Sequence, residues 1–284
     1  MLDALAAERL KLTRHKATWF LVWLYPILFL TIYLIAVAVA AAHVGNGSEK
    51  AATAKAWIDQ TAIIWKVPDQ AIGRLLIGAY VAVAFAGEYG WNTWKLVLPH
   101  RSRSALLAAK FALIFALFLL AFALTAGISL LFTWLEGAVS GRGLPSGVTA
   151  SAILDVHGRA ALAGLAPFLF TLGSISLAAV LTRSMVAALV IGVVVAILEK
   201  LFVQLGPFLA PYAPGLVWTL YHALPGYHLA NLASWITDGV AHRSPFPDGR
   251  IVALDWTTSL AVAAAWIAAL TAGTFAAFRR QDIN

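Results

Sequence analysis

Ionisable side chains are scarce in this chain, and the few that fall inside apolar stretches are the first candidates for chemistry. Glu199 and Lys200 sit in an apolar run that begins at Met185, about 20 Å from its start if the run is helical. Charges at that depth commonly mark an ion or substrate path, so Glu199 and Lys200 are read as pathway or gate residues. The plain alternative is that they pair or snorkel to the nearer interface. Arg74, near the start of another apolar run, is read in the same way. Asp155, His157 and Arg159 form the densest polar cluster, of the kind an intramembrane enzyme would need, but they stand where an apolar run begins and solvated charge accounts for them. His222 and His228 flank Pro225 and Gly226. Without Cys, acids or ligand spacing nearby, they read as interfacial histidines rather than as a metal site.

The usual catalytic signatures are missing. There is no G-x-x-x-x-G-K-[ST] loop, G-x-S-x-G elbow or H-E-x-x-H pair, and no G-x-G-x-x-G turn in a suitable context. The chain therefore has no visible means of hydrolysing ATP, and neither a catalytic residue nor a resident cofactor is assigned to it.

The elements that must position these residues are set by composition. Of 284 residues 61% are hydrophobic and 12% charged, and the mean hydropathy is +0.83. Too few charges remain to cover a soluble surface. Eleven Trp, seven Tyr and fifteen Phe suit a bilayer, where Trp and Tyr place an apolar body and a polar tip at headgroup level. Zero Cys excludes disulfides, thiolate metal sites and cysteine nucleophiles. The net charge of +7 does not imply nucleic acid, because the basic residues lie beside apolar runs rather than in a basic domain. Anionic lipid headgroups are the simpler partner.

A helix needs about 20 apolar residues to cross a bilayer. Six runs qualify, at 19–42, 71–86, 106–135, 160–181, 185–205 and 257–278, the second gaining length if it extends through Tyr89. An even number of spans puts both termini on one side. Eleven of the twenty Lys and Arg residues fall in the short segments 9–16, 95–110, 183 and 279–280, which the positive-inside rule assigns to the cytoplasm. The expected protein is thus an all-α, multi-pass protein of the cell membrane with both termini cytoplasmic, one transmembrane unit over 1–284. Residues 1–17 carry an interfacial helix pattern, with Asp3, Glu8, Lys11, Arg14 and His15 on one face and Leu2, Leu5, Ala6, Leu10 and Leu12 on the other. The segment 206–256 mixes six prolines with aromatic runs too apolar for water, and it predicts short broken helices re-entering the outer leaflet between the fifth and sixth spans.

The connection between the second and third spans, within 87–105, is unusual for a linker. It carries Glu88, Tyr89, Trp91, Thr93, Trp94, Leu96, Leu98, Pro99, Ser102 and Arg103, with Lys110 opening the next helix. This run resembles the ABC-2 type transporter permeases, whose corresponding loop goes from an acid and aromatics through Gly-Thr and a Leu-rich turn to Pro, Ser-Arg and Lys; Asn92 stands where Gly is usual. Glu8, Arg9, Leu10 and Lys11, followed by basic residues and Trp19, resemble the start of these permeases, especially the branch near bacitracin and lantibiotic export or immunity. The resemblance implies a permease working with a second copy or a related permease. It also implies a separate cytoplasmic ATP-binding cassette subunit that holds ATP and magnesium. Glu88, Tyr89, Trp91, Thr93, Trp94 and Arg103 would then form the coupling helix, with the aromatics entering a groove of the ATPase. The expected function is export of a hydrophobic or amphipathic antibiotic, peptide or lipid. An ion- or proton-coupled secondary transporter is the alternative, for which only Glu199 and Lys200 speak.

Overall fold

The computed structural model describes residues 2–42, 53–90, 94 and 102–281. Trp91 and Thr93 lie outside the described residues, as does most of the connection that includes them. Ten α-helices are described: α1 (Leu2–Arg14), α2 (Leu24–Ala42), α3 (Ala54–Thr61), α4 (Ala71–Gly90), α5 (Arg103–Val139), α6 (Ala150–Thr182), α7 (Met185–Leu209), α8 (Pro214–Ala223), α9 (Pro225–Asp238) and α10 (Trp256–Arg280). Six of them, α2, α4, α5, α6, α7 and α10, are long and apolar enough to cross a membrane. The protein is an all-α membrane protein. Among the described residues a single short hairpin pairs Ser244–Pro245 with Ile251–Val252.

Helix boundaries follow local chemistry. Ser102, Thr149, Ser184 and Asp255 each accept a backbone N–H three residues on, capping α5, α6, α7 and α10. The turn from α6 to α7 is made by Arg183, which takes the left-handed conformation with φ of 56°. The first span does not run straight from residue 19: a π-helical turn, Thr18–Val22, precedes α2, and Thr18 Oγ1 donates to Leu12 O beneath it. The third and fourth spans are longer than their apolar runs, because α5 with 37 residues reaches about 55 Å, well beyond a hydrocarbon core of about 30 Å.

In the packing, α4 and α6 lie innermost, while α2, α7 and α10 turn most of their surface outward. A close junction between α4, α6 and α7 is made by Ile175 of α6. A Cβ added at Gly78 of α4 or Gly192 of α7 would lie 2.3 or 2.2 Å from the Ile175 side chain, so the two glycines form the notch that it fills. Between the first two spans, α3 and a 3-10 helix, Ile63–Asp69, pack against α5 and α6. Beyond α7, α8 and α9 fold back onto the bundle, with α9 against α6, α7 and α10. The segment 206–256 is thus joined to the spans and is not a detached domain.

Candidate functional site

Helix α1 and the end of α10 lie at one end of the bundle, which is built around Lys110. This ammonium, on the second turn of α5, is fully buried and donates to Glu8 Oε2 of α1 at 2.8 Å and to Glu88 Oε1 of α4 at 2.8 Å. Lys11 of α1 also donates to Glu88. Two acids and two bases from three helices therefore neutralise one another, Glu8, Glu88 and Lys110 out of water and Lys11 at its edge. The Phe85 and Trp94 rings lie 5.9 and 5.6 Å from Lys110 Nζ and close the cluster. Such a cluster is weak evidence for stability but costly to break, since loss of one partner strands a buried charge.

The same end ties in the last helix. Arg103 Nη1 donates to the Phe278, Arg279 and Gln281 carbonyls at 3.2, 3.0 and 2.5 Å, satisfying the carbonyls that the end of α10 leaves free. Tyr89 donates from its hydroxyl to Gln281 Oε1 at 2.6 Å, and Gln281 Nε2 donates to Val180 O at 2.6 Å. The Arg183 guanidinium stands 5.9 Å from the Tyr89 ring. Beside the cluster, His15 accepts the Ala17 N–H on Nδ1. Burial, with Lys11 and Lys110 nearby, holds this imidazole below its ordinary pKa of 6.5 and keeps it neutral.

Several sequence-level expectations change here. Trp94 is only 2% exposed and packs on Phe278 with ring centroids 4.5 Å apart, so its ring is spent inside the chain rather than offered to a partner's groove. Tyr89 is likewise engaged, by Gln281, Arg183 and Trp94. The reason is that α10 returns to this end and supplies the core that the connection alone would lack. Glu88 is the buried partner of Lys110, and Arg103 caps the end of α10. In α1, Glu8 faces inward with Leu12, at 4% exposure each, while Leu10 points outward, which reverses part of the amphipathic reading. Sequence reasoning missed Glu8, Lys11 and Gln281 as site residues. An acid and a base one turn apart in α1, matching Lys110 and Glu88 in charge, are the available signal.

Glu199 and Lys200 lie at the other end of the bundle. Arg74 Nη1 donates to Glu199 Oε1 at 2.7 Å, and Arg74 Nη2 and Lys200 Nζ donate to Asp69 at 3.2 and 2.9 Å. The predicted gate residues are thus paired, Glu199 deeply and Lys200 near the surface. Arg74 and Glu88 stand 14 residues apart on α4, about 20 Å along the helix, so the two charge clusters are separate. His157 accepts from Trp65 Nε1 at 3.3 Å and bonds Thr61 at 3.1 Å, while Asp155 and Arg159 pair on the surface, so that cluster does not converge on a reacting atom. His228 is buried between Ser259 and the His222 carbonyl. No group of three His, Asp or Glu among the described residues could hold a metal ion.

Toward the far end lies a cavity of about 170 Å³, walled by Trp65, Pro68, Phe115, Phe118, Phe122 and Phe168. The phenylalanines are held in edge-on contact, Phe118 and Phe168 with centroids 5.6 Å apart. No charged side chain lines it.

No curated protein and no solved structure matches the chain. A family does match: that described as ABC-2 family transporter protein, over residues 4–199, which takes in most of α1, the Lys110 cluster, Arg74 and Glu199, and the aromatic cavity. With six helices able to cross a membrane and more than two thirds of its length matched, the chain belongs to the ABC-2 transporter family and is a membrane permease of an ABC transporter.

Proposed function

We propose that this permease exports a hydrophobic or amphipathic compound, such as a peptide antibiotic or a lipid, as in bacitracin and lantibiotic export or immunity. The observation that carries this reading is the placement of charge. The charged clusters at the two ends are paired internally, and the cavity between α5, α6 and the 3-10 helix is lined by aromatic rings, so the chemistry on offer is apolar contact. An ion-coupled carrier would need Glu199 or Lys200 available to the ion, and both have partners within the chain.

Energy enters from a separate cytoplasmic ATP-binding cassette subunit that binds ATP and magnesium. Its contact is the connection after Glu88, with Trp91 and Thr93 as docking residues. Glu88, Tyr89, Trp94 and Arg103 receive the movement and pass it to α1, α5 and α10, to which they are bonded. A second copy or a related permease completes the pathway, and both termini face the cytoplasm beside the ATPase.

Co-expression with the ATP-binding subunit tests this. Trp91→Ala should weaken co-purification and the stimulation of ATP hydrolysis by an amphipathic peptide in reconstituted vesicles, a hot-spot loss of about 2 kcal/mol. Co-purification and stimulation at the unmodified level would place energy entry elsewhere, and stimulation by a sugar or an inorganic ion instead would overturn the substrate class.

A further inference from the structure

The far end of the bundle holds a second arrangement that the family assignment does not explain. Three residues on one face of α7, Glu199, Val203 and Gly206, form a seat for the α8–α9 hairpin. Pro207 has no N–H, which leaves the carbonyl of Val203 without its helical donor. The Tyr221 hydroxyl of α8 supplies one by donating to Val203 O. Gly206 makes room for it, since a Cβ there would lie 2.7 Å from the Tyr221 ring. At Gly226, on the first turn of α9, a Cβ would meet Glu199 O at 2.7 Å and Glu199 Cγ at 3.0 Å, so the tip of the hairpin rests directly on Glu199.

Glu199 is held from the other side by Arg74 of α4 and is only 8% exposed, yet its Oε2 is buried with no hydrogen-bond partner. A half-satisfied buried carboxylate is an expensive way to hold two helices together. Arg74, by contrast, keeps Asp69 Oδ1 and Pro68 O whether or not Glu199 stays. Release would leave the cation satisfied and free the acid toward water and Lys200.

We propose that Arg74 and Glu199 are positioning residues that latch α4 to α7 and thereby seat the α8–α9 hairpin over the far end of the bundle. The latch is strong enough to define the closed arrangement and is poised to let go. Because α4 carries Glu88 of the near-end cluster about 20 Å away on the same helix, movement received there would reach the latch through one rigid element. That last step rests on the proposed coupling; the latch itself does not.

The test therefore uses the permease alone, reconstituted without ATP. The chain has no Cys, so single reporters can be placed at Leu229→Cys on α9 and Val217→Cys on α8, at positions now 2% and 3% exposed. A third, Ala179→Cys, is fully buried in α6 near the Gln281 contact and serves as control. Labelling by a membrane-impermeant maleimide should rise about tenfold or more at 229 and 217 in Arg74→Met and Glu199→Gln. Position 179 should stay protected. If 229 and 217 stay protected in both single variants, or if 179 opens together with them, there is no latch.

Discussion

Lys110 has no route to water and both of its acceptors are acids. Lys110→Met should therefore cost about 3–5 kcal/mol by stranding Glu8 and leaving Glu88 with Lys11 alone. A variant that neutralises Glu8, Lys11, Glu88 and Lys110 together should recover most of that loss, and thermal unfolding in detergent compares the two. Equal melting temperatures would mean that the charges do not act as a unit. His15 adds a pH dependence. Its folded pKa lies below its ordinary 6.5, so its contribution is fully present above about 6.5 and falls as pH drops through the folded value. Protonation would place a third cation beside Lys11 and Lys110. Limited proteolysis of 1–17 should accelerate between pH 7.5 and 5, and His15→Gln should flatten the response. Glu88 and Lys110 were legible as part of a motif, whereas Glu8 was assigned to water, because periodicity registers a residue's own polarity and is blind to a counter-charge a hundred positions away.

Among the elements, the contact of α4, α6 and α7 rests on one side chain in a notch. Gly192→Ala would drive a Cβ into Ile175, an overpacking worth about 1–3 kcal/mol. Ile175→Ala in the same chain should relieve part of it, so a double-mutant cycle should show clear coupling. Strict additivity would place the strain elsewhere. Span positions were legible from hydropathy because crossing a bilayer demands length and apolarity. Span lengths were less so: α5 and α6 continue past their apolar runs through capped, polar turns that a hydropathy window discounts. The two elements between α2 and α4 escaped notice because α3 has 8 residues and the 3-10 helix 7, too short for a periodic signal.

On the scale of the whole molecule, contacts place α1 and the end of α10 together, for Arg103 holds the end of α10 and Lys110 holds α1 at the same end. The α5–α6 turn lies at the opposite end. Single cysteines at Gly141 and Gln281 should then be labelled from opposite sides of a sealed vesicle, 141 from outside by the Lys and Arg distribution. Labelling of both from one side would break the six-span arrangement. The basic residues predict a direction for the bundle, but the joining of its parts by ion clusters was not legible, since no local pattern records which distant charges meet.

The cluster around Lys110 also sets an order of assembly in time. Glu8 leaves the ribosome 102 residues before the lysine that will hold it. At ordinary synthesis rates the interval is roughly 5–20 s. For that interval α1 has no internal home for its acid and must wait on the lipid surface. The amino-terminal helix is therefore made first yet docked late, only after the third span has been threaded into the bilayer. A chain stalled before residue 110 should leave residues 1–17 open to protease, and one released just beyond α5 should protect them.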